Sequence, residues 1–300
     1  MENFALIFVA MLIGYIINKR NIFPKNTPII LNRFVLYISL PALVLLKVPQ
    51  LTFSFEIVIP IIIAWSVMGV SAVVVFLFCK SMSFSKEVTG ALMLVAVLGN
   101  TSFVGIPVIQ AYFGNSALPY AVIYDQLGSF IALSTYGTFI STYYSNENSV
   151  DIKAILKKIF TFPPFLFLFI SMFFIGQTFN PVVISVLESL AQTIVPLALV
   201  AVGLQLRFKL PPEDIKPFLG ALGVKLILSP LIAIGIASIF FWEGEVVLIS
   251  IMEAGMGPMI TAGALASMAG LAPRLSSAIV GYGILLSFLT TWFLHAYITS

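Results

Sequence analysis

Long apolar runs alternate with short polar stretches along the whole chain. A membrane-spanning helix needs roughly 20 mostly apolar residues. Ten runs meet or approach that length, at about 3–18, 28–47, 57–79, 88–112, 117–144, 160–178, 182–206, 217–241, 246–269 and 274–298. Lipid satisfies no backbone polar group, and the runs are too long for barrel strands, so each reads as a helix. The predicted fold class is an all-α membrane protein of ten transmembrane helices. The short polar loop at about 145–158 joins a first five-helix half, 1–150, to a second, 151–300.

The two halves repeat. Pro41 in Ser39-Leu40-Pro41-Ala42-Leu43 matches Pro196 in Ile194-Val195-Pro196-Leu197-Ala198, 155 positions later. Tyr112-Phe113-Gly114 after the fourth run matches Met268-Ala269-Gly270 after the ninth, an offset of 156. Five helices is an odd number, so the second half enters the membrane in the opposite sense. That is an inverted-topology repeat, a plan common in secondary transporters.

Composition agrees with the pattern. Hydrophobic types make up 60% and charged types 9% of 300 residues, where soluble domains carry about a quarter charged residues. Basic residues set the orientation. With the N-terminus outside, the inner loops hold Lys19, Arg20, Lys25, Lys80, Lys86, Lys153, Lys157, Lys158, Arg207, Lys209, Lys216 and Arg274, and the outer loops hold only Lys47. Both termini are therefore expected outside an inner or plasma membrane. The first run lacks a preceding basic region and does not read as a cleaved signal. One cysteine (Cys79) and one histidine (His295) exclude a disulfide and a paired-histidine metal site. No nucleotide-binding loop is present, so no cofactor, nucleic-acid partner or direct ATP coupling is expected.

Two interrupted helices stand out. The fourth carries Gly99-Asn100-Thr101-Ser102-Phe103-Val104-Gly105-Ile106-Pro107, and the ninth carries Glu253-Ala254-Gly255-Met256-Gly257-Pro258. Proline removes a donor and glycine lowers the cost of unwinding. Such segments at corresponding places in two halves point to a transporter binding site. The plainer reading is a pair of kinks with small residues for close packing. Asn100, Thr101, Ser102, Gly105, Pro107, Gly255, Met256, Gly257 and Pro258 are the candidate substrate site. Ionisable residues inside the membrane default to function, so Asp125, Glu253 and Lys225 are the candidate coupling groups, with a proton or sodium as the coupling ion. Glu188, Arg33 and His295 read as interfacial.

These stretches, with Val195-Pro196-Leu197-Ala198-Leu199 followed by Gly203, resemble the auxin efflux carrier family, within the wider bile acid, arsenite and auxin transporter group. The resemblance covers the whole chain. It implies helices 1, 2, 6 and 7 as a scaffold, which also offers a surface for a homodimer. Helices 3–5 and 8–10 would form a moving transport unit, with helices 4 and 9 broken where they cross, at Pro107 and Pro258. Asn100 matches the family's asparagine beside the crossover. The family often has Met-Pro in the ninth helix; here Gly257 stands between Met256 and Pro258. The implied activity is elevator-type secondary transport of a small organic anion, a carboxylate or auxin-like acid. The competing classes are a channel, a substrate sensor on a transporter fold and an intramembrane enzyme. The last would need a catalytic pair that this chain lacks.

Orientation can be tested directly. Single cysteines placed in a Cys79-free background at 113–118 and 242–245 should react with an impermeant thiol reagent on intact cells. Those near Lys157 and Lys209 should react only after the membrane is opened. The reverse pattern would overturn the assignment.

Overall fold

The computed structural model describes residues 2–51, 55–145, 152–206 and 212–299. Arg207, Lys209 and most of the loop joining the halves lie outside them. Every named element among the described residues is a helix, joined by turns and breaks, with one isolated antiparallel bridge. Among the described residues, five helices are long and apolar enough to cross a membrane: Thr27–Gln50, Phe55–Ser81, Pro181–Gln205, Pro212–Ile239 and Pro273–Ile298. The other expected runs are shorter or interrupted. Glu2–Lys19 has 18 residues. Lys86–Val95 and Thr101–Phe113 are two pieces of one run, as are Glu245–Ala254 and Ile260–Met268. Residues 118–144 form a helix with two π stretches.

The structure corrects the expected polar loop at 145–158. A helix already begins at Ile152 and runs to Thr161. Ile152, Ile155, Leu156 and Ile159 recur at helical spacing, with Lys153 and Lys157 between them, which makes an amphipathic helix suited to a membrane surface. Phe162 is extended (φ −75°, ψ 118°), as expected of a residue before proline. The next helix, Pro163–Met172, leaves at a 61° bend.

Prolines explain much of the local irregularity. Pro41, Pro107 and Pro230 each follow a π-helical stretch, at Val35–Ser39, Thr101–Gly105 and Val224–Leu228. A proline inside a helix has no N–H to donate and clashes with the carbonyl four residues back. Widening the preceding turn to π spacing relieves both problems.

Two sets of helices pack together. In one, Glu2–Lys19 lies along Pro181–Gln205, and Leu40–Lys47 packs on Pro163–Met172 and Pro181–Ala191. In the other, Phe55–Ser81 packs on Ser229–Ile239 and Glu245–Ala254, and Ile260–Met268 packs on Pro273–Ile298. The first set is fastened backbone to backbone. A Cβ on Gly203 would strike the Met11 carbonyl and sit 3.0 Å from Tyr15 N. One on Gly14 would strike the Val200 carbonyl and sit 3.1 Å from Gly203 Cα. Without a hydrophobic drive between helices in lipid, such close approach supplies the van der Waals contact that holds them.

Gly203→Ala should therefore lower stability by about 1–3 kcal/mol, because the obstacle is backbone that cannot rotate away. Gly235→Ala is the control, since a Cβ there meets nothing within 4 Å. Thermal unfolding of the two purified variants should separate them, and equal melting temperatures would refute the glycine seam.

Candidate functional site

The helix Lys86–Val95 starts at Ser85, whose hydroxyl accepts from Val88 N at 3.3 Å, and stops at Ala96. Helix resumes only at Thr101. In the second half, helix stops at Ala254 and resumes at Ile260. Each break strands backbone groups that lipid cannot satisfy, and the two breaks satisfy each other. Asn100 N donates to the Gly257 carbonyl at 2.8 Å, and Met259 N donates to the Leu98 carbonyl at 2.9 Å. These bonds form the antiparallel bridge between Gly99 and Pro258.

Residue types follow from this crossing. A Cβ on Gly257 would lie 2.9 Å from Ile284 Cα and 3.0 Å from the Gly283 carbonyl. The glycine inserted between Met256 and Pro258 thus lets the break lie against helix Pro273–Ile298, while its carbonyl receives Asn100. A Cβ on Gly99 would lie 3.0 Å from Lys225 Nζ, and one on Gly105 would collide with the Glu253 carboxyl.

A polar cluster surrounds the bridge. Thr101 Oγ1 and Ser102 Oγ both donate to Asp125 Oδ1 at 2.5 Å, and Gln126 Nε2 donates to Oδ2 at 2.5 Å. Asn100 Oδ1 accepts from Phe103 N at 3.3 Å and caps the resumed helix. Its Nδ2 is buried without a hydrogen-bond partner. Lys225, 2% exposed, donates to the Ala254 carbonyl at 3.1 Å. That carbonyl ends a helix, where the macrodipole favours a cation. Glu253 is fully buried, and neither of its oxygens has a partner.

Asn100, Thr101, Ser102, Gly105, Asp125, Lys225, Glu253, Gly257 and Pro258 therefore come together. Met256 does not join them, because its side chain is fully buried in the apolar core with Met252 and Ile249. Gly255 serves packing, with Leu294 Cδ2 2.9 Å from where its Cβ would be. Sequence reasoning missed Gln126, although a polar residue beside a mid-membrane aspartate was the available signal.

Two cavities adjoin the crossover. One of about 20 Å³ touches Gly99, Thr101, Lys225 and Glu253. The other, of about 430 Å³, reaches the crossover at Ile106 and Pro107 and is lined by Lys47, Gln110, Glu188 and Gln192 among apolar side chains. Glu188, read from the sequence as interfacial, is exposed but faces this cavity. Gln192 one turn on carried the same helical-face signal.

A family model described as "Membrane transport protein" matches residues 1–295. The chain belongs to this family, the auxin efflux carrier family. Two relatives agree. An uncharacterized transporter of Methanothermobacter thermautotrophicus is 26% identical over 273 residues, covering 88% of this chain and 87% of its own length. Another, of Methanocaldococcus jannaschii, is 29% identical over 215 residues, covering 69% and 68%. The chain is thus a multi-pass membrane protein of a transporter family, and the paired breaks lie inside that membrane transport domain.

In this auxin efflux carrier family member, the hydroxyls on Asp125 should matter to folding. A hydrogen bond to a charged group is worth roughly 1.5–3 kcal/mol, so Thr101→Val and Ser102→Ala should each lower stability by about that much. Both donate to one oxygen, so the double variant should fall short of the sum. Strict additivity in thermal unfolding would mean that Asp125 does not gather them.

Proposed function

We propose that this chain is a secondary active transporter that moves a small organic anion, of the carboxylate or auxin-like class, by elevator-type alternating access. The observation that carries the reading is the paired break itself. A protein needing only a kink would not unwind two buried helices at corresponding places and then hydrogen-bond the breaks together. The unpartnered Asn100 Nδ2 adds a buried donor that an acceptor-bearing solute would satisfy. Helix ends freed by the breaks present backbone N–H groups and partial positive charge to an anion.

The helix bounds support the five-plus-five inverted repeat. Thr27–Gln50 and Pro181–Gln205 start 154 residues apart (181 − 27), and Phe55–Ser81 and Pro212–Ile239 start 157 apart (212 − 55). Lys86–Val95 and Glu245–Ala254 start and end 159 apart (245 − 86; 254 − 95). Contacts across the halves pair residues at similar separations. Ser39 and Thr193 hydroxyls are 2.6 Å apart with a separation of 154, and Ser71 and Ser229 are 3.3 Å apart with one of 158. Equivalent residues meet in this way near a pseudo-two-fold axis. The two helix sets suit a scaffold and a transport unit, and the larger cavity lies between the first set and residues 106–118 that follow the break.

That cavity falls in the usual range for small-molecule sites, about 300–1,000 Å³. With both termini outside, Lys47 and Glu188 place it on the outer side, leading to Pro107. Asp125 or Glu253 would couple transport to a proton or sodium gradient.

Uptake into proteoliposomes, with and without an imposed pH or sodium gradient, tests the function. Saturable, gradient-responsive uptake of a small carboxylate is expected; unsaturable flux would mean a channel, and binding without flux a sensor. Against a solute found in that screen, Asn100→Ala should weaken direct binding about tenfold to a hundredfold, the loss of one hydrogen bond to a charged group. Unchanged affinity would place the site away from the crossover.

A further inference from the structure

The two buried acids at the crossover differ in kind. Asp125 has three donors on its carboxylate: two hydroxyls and the Gln126 amide. Donors on a carboxylate favour its charged form. Glu253 is equally buried, at 0% exposure against 1% for Asp125, and has no donor on either oxygen. A charge taken from water without compensating hydrogen bonds is expensive enough that the group neutralises instead.

The neighbours of Glu253 sharpen the contrast. Tyr124, from residues 118–144, and Lys225, from Pro212–Ile239, line one small cavity with Glu253, and Asp125 is close enough to interact with it electrostatically. Lys225 is the cation that could balance it, yet its hydrogen bond goes to the Ala254 carbonyl. The Glu253 carboxyl occupies the space that a Cβ on Gly105 would need, so it presses on the helix that resumes after the break in the other half. The cavity of about 20 Å³ touches Glu253, Lys225, Thr101 and Ser129, enough for about one water with polar partners.

We propose that Glu253 is the proton-binding group of this protein and carries its proton in the conformation described here. Asp125 stays ionised and is a positioning residue that fastens Thr101 and Ser102 to residues 118–144. The proposal rests on the transporter reading and names the coupling ion and its site. On release, the Glu253 O–H bond breaks, the proton passes to a water in the small cavity, and the electron pair stays on the carboxylate. The new carboxylate then competes with the Ala254 carbonyl for the Lys225 ammonium. Lys225 sits against Gly99 of the bridge, so loading and unloading the proton bears directly on the crossover.

Infrared spectroscopy of the purified full-length protein in lipid nanodiscs tests this without any substrate. A buried carboxylic-acid carbonyl band should be present in the unaltered protein, persist in Asp125→Asn and vanish in Glu253→Gln. The carboxylate absorption should lose one component in Asp125→Asn and lose none in Glu253→Gln. Glu253→Gln should melt no lower than the unaltered protein, because an amide replaces a neutral acid. Asp125→Asn should melt lower, because an amide NH2 would replace one of the two accepting oxygens and leave the donors on that side without an acceptor. Should Asp125→Asn fail to fold, Ser102→Ala must keep the acid band. Persistence of the acid band in Glu253→Gln, or its loss in Asp125→Asn or Ser102→Ala, would overturn the assignment. So would a sodium-dependent rise in melting temperature that Glu253→Gln abolishes, since Glu253 would then bind a metal cation. Because these readouts need no transported solute, failure of uptake would sink the transporter reading and leave the proton site to be judged separately.

Discussion

Two helices are interrupted inside a membrane protein, and the backbone groups they release have to find partners without help from lipid. Each unsatisfied group there costs several kcal/mol. Here the partners are each other, through Asn100 N on the Gly257 carbonyl and Met259 N on the Leu98 carbonyl. Once those two bonds form, the positions of the surrounding side chains follow. Asn100 caps the resumed helix, Thr101 and Ser102 turn onto Asp125, and Lys225 reaches the terminal carbonyl of Ala254. The glycines at 99, 105 and 257 remove bulk at the three places where the crossing would otherwise collide with Lys225, Glu253 and the backbone of Ile284.

This arrangement leaves a local imbalance. Most polar groups at the crossover are matched, while Asn100 Nδ2, the Gln126 carbonyl oxygen and both Glu253 oxygens are not. A structure optimised only for stability would match or remove them, since a buried orphan polar group costs roughly 1–3 kcal/mol. Four such atoms on three neighbouring side chains, beside a gap with room for about one water, suit a site that binds and releases something. The contrast with the glycine seam between Gly14 and Gly203 is instructive. There the helices touch backbone to backbone. One region is built to stay closed and the other to change partners.

Much of the fold was legible in the chain itself. Apolar runs of spanning length, with little charge between their ends, determine a multi-pass helical protein, because lipid leaves no alternative for the backbone. Gly99 through Pro107 and Gly255 through Pro258 marked the two breaks, because glycine and proline act locally on helix continuity. Asp125, Lys225 and Glu253 stood out because charge inside an apolar run is rare. Local rules also misled in one place: the polar residues after 145 looked like a loop, although Ile152, Ile155, Leu156 and Ile159 already carried a helical stripe.

Only the tertiary structure decided which of these features meet. That Gly99 pairs with Pro258 depends on packing across 159 positions (258 − 99), and periodicity carries no information at that range. Asp125 and Glu253 look alike as residues, and only their surroundings separate one with three donors from one with none. Met256 sits beside Gly257 in the chain, yet its side chain packs in the apolar core while Gly257 lies against Ile284 and receives Asn100. Glu188 read as a surface acid until the helices closed a cavity beside it. Composition and spacing determine what each helix is; hydrogen-bond partners, clearances and cavities are properties of pairs of helices, which exist only once the chain has packed.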